Sequence, residues 1–387
     1  MDTLNPLFSI IIFLIAIATC FIINLKYKVH NLTSRYETID GLRGFLGIGV
    51  FIHHSAIWFK YIQTNTWDAP NSNLYTQLGS TSVSFFFMIT GFLFISKFLN
   101  LGEKEFNWKN FFISRVFRLV PMYYFAISII ILIIMVISDW KLKVETFKFF
   151  GQIFLWGTFT IISNTNINDF ELTNVINSGV VWSLPYEWLF YFSLPVISLL
   201  ILKRKPSSFY VIISIVFIII YFLFNKLDVH NIYSFLGGIT AALIIKYKSF
   251  KLNNFISSFG ILICFVLIGQ FKDSSDIYCK ILITIIFILV ASGSTFFGVF
   301  KSSTVKLLGE ISYSTYLIHG ILLFVIFYFG LGFDKVKSFT SSEFCLIIFS
   351  TTPFLVILSF VGYKFIEKPF MDISKKHINR EIGAEKK

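Results

Sequence analysis

Eleven runs of about twenty apolar residues, set apart by short clusters of charge, occupy most of this 387-residue chain. A helix needs about 20 such residues to cross about 30 Å of hydrocarbon, and within lipid every backbone N–H and C=O must be paired inside its own segment. The pattern predicts an all-α, polytopic membrane protein with about 11 transmembrane helices. They are expected at about residues 6–25, 43–60, 81–100, 119–138, 180–202, 208–225, 232–246, 253–271, 281–300, 307–330 and 343–363. Composition agrees. The chain is 56% hydrophobic and 14% charged, with a mean hydropathy of +0.76, too little polar surface for a soluble domain of this size. Its four scattered cysteines, Cys20, Cys264, Cys279 and Cys345, show no Cys-x-x-Cys or metal-ligand spacing, so neither a disulfide scaffold nor a metal site is expected.

The net charge of +12 sorts by side of the membrane. With the N-terminus outside, 24 of the 33 Lys and Arg fall on cytoplasmic segments, including all six arginines and the Lys203-Arg204-Lys205 cluster. This is the positive-inside pattern, so the N-terminus is expected outside, the C-terminus in the cytoplasm, and no nucleic-acid partner is inferred from the charge. The first run follows Met1-Asp2-Thr3-Leu4-Asn5, which lacks the basic start of a signal peptide, and is expected to remain as an uncleaved helix. The apolar stretch from Phe149 to Ile162 is only about 14 residues and suits a re-entrant or interfacial segment on the outer side. No internal repeat, linker or low-complexity tract divides the chain.

An ionisable side chain inside a span costs about 2.5–3.5 kcal/mol, so each one needs a reason. Arg43 opens the second run, and His54 follows eleven residues later, about 16 Å along a helix and close to the bilayer midplane. Glu187 lies about 10 Å into a span entered from outside, and His319 about 18 Å into one entered from the cytoplasm. Arg115 and Arg118 stand at a cytoplasmic end, shortly before Pro121. Each has a structural role open to it. A buried His serves as a helix–helix hydrogen-bond partner, with Ser312, Tyr313 and Tyr316 at hand for His319; Glu187 serves as a buried acid among aromatic residues; terminal arginines serve as anchors. Asp40, Glu310 and Glu367 lie at membrane boundaries, where capping or solvation is the default. Together these groups are more specific. A midplane imidazole is a general base for a hydroxyl, and cytoplasmic guanidinium groups clamp phosphates. That pairing points to a phosphate-bearing donor entering from inside and an acceptor met partway through the membrane. No P-loop, G-x-G-x-x-G, G-x-S-x-G or H-E-x-x-H occurs, which argues against nucleotide hydrolysis, dinucleotide redox chemistry, a hydrolase elbow and a zinc protease.

Six segments carry a resemblance in a fixed order: Ile39-Asp40-Gly41-Leu42-Arg43-Gly44 with His53-His54-Ser55; Phe85-Phe86-Phe87-Met88-Ile89-Thr90-Gly91; Arg115-Val116-Phe117-Arg118-Leu119-Val120-Pro121-Met122-Tyr123; Val181-Trp182-Ser183-Leu184-Pro185-Tyr186-Glu187; Leu308-Gly309-Glu310 through His319; and Ile366-Glu367-Lys368-Pro369. Over about residues 35–370 the chain resembles the membrane-bound acyltransferase-3 family, most of all the O-antigen (lipopolysaccharide) O-acetyltransferases of bacteria and their phages. The resemblance implies an acyltransferase-3 membrane domain at 35–370, an extra N-terminal transmembrane helix and basic linker at 1–34, and a charged cytoplasmic tail at 371–387, in a bacterial inner membrane among its lipids. It implies an acyl-CoA-dependent O-acetyltransferase, without a metal, moving acetyl from acetyl-CoA to a sugar hydroxyl of a lipid-linked surface glycan. Carried over residue by residue, His54 is the base with Arg43 and Glu187 beside it, acting either on a hydroxyl that attacks the thioester directly or in a relay that passes the acyl group onward. Arg43, Arg115, Arg118 and Tyr123 hold acetyl-CoA; Glu187 and His319 orient His54 or bind the glycan from the outer side, where Trp182, Tyr186 and Trp188 are stacking surfaces. Thr90 stands where the family's second motif has Ser, and Trp188 follows Glu187 where another acid is usual. The rival from another class is a proton-coupled transporter or flippase of a sugar or lipid-linked glycan, in which the same His and Glu relay protons.

Overall fold

The computed structural model describes residues 2–27, 36–101, 105–200, 206–248 and 253–384. Among the cations that set the expected topology, Lys28, Arg35, Lys104, the Lys203-Arg204-Lys205 cluster, Lys251, Lys386 and Lys387 lie outside the described residues. The described residues form helices and no strand. In chain order these are α1 (Pro6–Tyr27), α2 (Glu37–Thr64), α3 (Asn73–Leu99), α4 (Trp108–Ile137), α5 (Thr146–Gly157), α6 (Thr173–Ile176), α7 (Leu184–Leu200), α8 (Ser208–Phe224), α9 (Val229–Tyr247), α10 (Asn254–Ile268), α11 (Ile277–Ala291), α12 (Ser303–Glu310), α13 (Ser312–Phe324), α14 (Phe333–Lys337), α15 (Ser341–Gly362) and α16 (Lys368–Ala384). Side-chain caps start several of them. Asn107 accepts from the Asn110 N–H at α4, and Asp276 accepts from the N–H groups of Tyr278 and Cys279 at α11.

Seven helical stretches among the described residues are long and apolar enough to cross a membrane: α1, α2, α3, α4, α9, α13 with its π-helical continuation to Leu331, and Ser341–Glu381. Every expected run meets a helix, but α7 and α8 have 17 residues, and α10 and α11 have 15. Fifteen residues rise about 22 Å. The run expected at 281–300 ends early because Gly293 and Gly298 take φ of 103° and 92° and turn the chain, so the apolar residues between them lie in turns. Conversely, α2 begins at Glu37 and α3 at Asn73, earlier than their apolar runs. Hydropathy does not register a helix that continues through polar residues.

The chain forms two compact units, Met1–Asn100 with Asp228–Phe360, and Leu101–Leu227 with Val361–Lys387. In the first, α2 is central, packed by α1, α3, α11, α12 and α13. It is buried along most of its length, as an interior helix must be when its neighbours surround it. Its approach to α12 and to the turn at Val299–Lys301 before it requires glycine. A Cβ on Gly309 would stand 1.9 Å from the Asp40 carbonyl oxygen, and one on Gly41 would stand 2.2 Å from that of Phe300. In the second unit, the stretch after α4 folds back along that helix. Asn168 Nδ2 donates to Ser138 Oγ and to the Lys141 carbonyl at the end of α4. Tyr123, about 21 Å down the helix from Ile137, donates its hydroxyl to the Trp156 carbonyl at 2.7 Å. Within this stretch α5 has 12 residues, too few to span.

Candidate functional site

Arg43 and His54 lie three turns apart on one face of α2, and His319 sits on α13. His54 Nδ1 is 3.0 Å from His319 Nε2, with the rings stacked at 5.0 Å and 26°. His319 Nδ1 is 3.0 Å from the Thr315 carbonyl oxygen, one turn back on the same helix. The proton positions follow from this network. A carbonyl only accepts, so His319 carries a proton on Nδ1. In neutral His319 the Nε2 atom then accepts, and the donor facing it is His54 Nδ1–H. The lone pair of neutral His54 is thereby left on Nε2. His319 is fully buried, whereas His54 is half-buried. Ser312, Tyr313 and Tyr316 were the expected partners of His319. The structure gives its nitrogens to His54 and to the backbone of Thr315, with the Tyr316 backbone a further partner and the Tyr316 ring 6.3 Å away.

His53 completes a row of three imidazoles. Its Nδ1 donates to the Tyr75 carbonyl at 2.8 Å, and its ring meets that of His54 edge to face at 5.0 Å. A Cβ at Gly79 would come within 2.4 Å of the His53 ring, so α3 seats this imidazole only by having glycine there. Tyr75 is the third residue of α3. The row therefore lies beside the first turns of that helix, a level that counting from Arg43 along α2 alone does not give. At the other end of the shared face, Arg43 Nη1 donates to Asp40 Oδ1 at 3.2 Å, so Asp40 fixes the guanidinium as well as sitting at the boundary.

The second unit holds the remaining expected site residues. The Tyr191 hydroxyl donates to the Glu187 carboxylate, and the Arg115 guanidinium stands 5.9 Å from the Tyr191 ring centre. Counting depth along each span separately sets Arg115 near the cytoplasm and Glu187 toward the outside; the structure brings both to Tyr191. Arg118 Nη1 donates to Met371 Sδ at 3.2 Å. Tyr123 is buried, its hydroxyl given to Trp156 and its ring stacked on Phe159 at 4.0 Å. Trp182 is 45% exposed while Tyr186 and Trp188 are buried, so of these three Trp182 presents the open face. Sequence reasoning missed Thr315 and gave Tyr191 no role of its own. Both stand four residues from a site residue, one helical turn away, and that spacing was the available signal.

The family profile described as an acyltransferase domain matches residues 36–362. This chain belongs to the acyltransferase-3 family. Three proteins of Staphylococcus aureus, from strains COL, MSSA476 and MRSA252, each bear the name "Putative O-acetyltransferase" and are 26% identical over 384 residues. The match covers 88% of this chain and 58% of theirs, so the chain spans little more than half the length of these curated relatives. No solved structure matches it.

Proposed function

We propose that this acyltransferase-3 chain is an integral-membrane O-acyltransferase that transfers acetyl from cytoplasmic acetyl-CoA to a sugar hydroxyl of a lipid-linked cell-surface polysaccharide, with His54 as general base. The observation that carries this reading is the hydrogen-bond chain from the Thr315 carbonyl through His319 to His54. It aims the basic electron pair of His54 away from its protein partners and leaves it on Nε2. In the reaction, the hydroxyl oxygen attacks the thioester carbonyl carbon as its proton passes to His54 Nε2. The C–S bond then breaks, and His54 returns the proton to the departing sulfur, giving the ester and CoA with the base restored. His319 is a positioning residue that stabilises the imidazolium of His54, as the third member of a triad does. Arg43, held by Asp40 and about 16 Å along α2 from His54, receives donor phosphates at one end while the acyl group reaches the imidazole at the other. In the second unit, Arg115 and Arg118 offer cations to an anionic donor, and Glu187 with Trp182 and Tyr186 offers polar and aromatic groups to a glycan. The chain sits in a bacterial inner membrane, N-terminus outside and tail in the cytoplasm, as the charge bias supports.

Mass spectrometry of surface polysaccharide from cells with and without this chain tests the proposal. The expected result is a gain of one acetyl unit per modified sugar that vanishes with His54→Ala. Ester content that is unchanged by the chain, or by that substitution, overturns it, and the latter is the outcome a proton-coupled transporter gives.

A further inference from the structure

We propose that His53 and His54 act together as a two-point acceptor for neighbouring hydroxyls, so that the group acylated here belongs to a vicinal diol of a sugar-like polyol. This rests on the reading of His54 as the base. His53 has no part in the Thr315–His319–His54 chain, yet the fold makes specific provision for it. Its Nδ1–H is committed to the Tyr75 carbonyl at 2.8 Å, and its ring occupies space that a Cβ on Gly79 would take. Neutral His53 therefore also keeps its lone pair on Nε2. Two adjacent imidazoles, 5.0 Å apart by ring centres, carry the same tautomer and the same missing proton. Both are half-buried, while His319 behind them is sealed. Two neighbouring rings that each turn their Nδ1–H to the protein offer two acceptor nitrogens to a ligand that brings two O–H donors on neighbouring atoms. His54 Nε2 takes the proton of the hydroxyl that reacts. His53 Nε2 accepts a hydrogen bond from the hydroxyl next to it and orients the sugar. A lone alcohol satisfies only one of the two.

The test uses the purified full chain in lipid nanodiscs, acetyl-CoA as donor, and two acceptor probes that share a tail: octyl β-glucoside, which carries vicinal hydroxyls, and 1-octanol, which does not. Wild type is expected to favour the glucoside in kcat/KM. In His53→Phe, which keeps an aromatic ring without the nitrogen, this preference falls about tenfold, mainly through KM for the glucoside. Gly79→Ala, which displaces His53 without altering it, lowers the preference in the same direction. The inference is overturned if wild type shows no preference, or if His53→Phe slows both probes by one factor and leaves their ratio intact. If wild type transfers acetyl to neither probe and releases no CoA, the acyltransferase reading itself fails.

Discussion

In the unit built on α2, the imidazoles flanking His54 are held by carbonyl oxygens of intact helices, His319 by Thr315 in α13 and His53 by Tyr75 in α3. In the other unit, Arg115 and Glu187 meet at a side chain, Tyr191, beside a backbone of a different character. Of the ten described non-glycine residues with positive φ, seven lie between Asp139 and Ser178, including the consecutive pairs Asp139–Trp140, Phe159–Thr160 and Asn168–Asp169. Such conformations each cost of order 1–3 kcal/mol and persist only where the surroundings impose them. The difference separates two ways of building a site. A carbonyl inside a helix fixes a tautomer without moving, which suits a base whose lone pair must wait in one place. A strained, folded-back segment places irregular surface against a helix, which suits recognition of a shape.

The comparison breaks first at His319. His319→Ala removes the acceptor facing His54 Nδ1 and is expected to lower kcat about 10²-fold with little change in KM, read by single-turnover acyl transfer. His319→Gln, whose amide oxygen also accepts, should recover part of the loss. If both variants lose only affinity, the helix-held tautomer is not what sets the rate. Next is Gly309→Ala, whose methyl group meets the Asp40 carbonyl at 1.9 Å. It is expected to cost about 1–3 kcal/mol of stability, seen as a lowered Tm in lipid. Tyr191→Phe removes the hydroxyl given to Glu187 and should reduce kcat/KM about tenfold, a charge-assisted hydrogen bond being lost. An unaffected rate would make that contact merely structural. The smallest change is Gly151→Ala in α5, where a Cβ meets nothing within 4 Å. Relief of glycine's backbone entropy should raise stability by about 0.5–1 kcal/mol, against the sign expected at Gly309.

Much of this is legible in the sequence. Ionisable residues stand out in apolar runs because lipid penalises them, and Arg43, His54, Glu187 and His319 were found that way. Orienting His54 was one of the two roles expected of His319, but which nitrogens meet, and that Glu187 lies with Tyr191 instead, was not legible, because spacing along one helix carries no register against another. Tyr191 was hidden for a different reason: among 17 Tyr and 50 Phe, one aromatic residue in an aromatic-rich helix gives no contrast. Apolar composition also concealed where helices stop. Phe296 and Phe297 read as part of a span, yet both have positive φ and lie between the turns at Gly293 and Gly298.

The two 15-residue helices α10 and α11 pack against each other on one flank of the first unit. Their combined shortfall cannot be met by drawing the connecting turn into the hydrocarbon, because it carries Lys272, Asp273 and Asp276. Where helices of 15 residues cross a bilayer, it must instead pinch inward to meet them, at a fraction of a kcal/mol per Å of mismatch. Short-chain phospholipids are accordingly the better fit for spans of the length of α10 and α11.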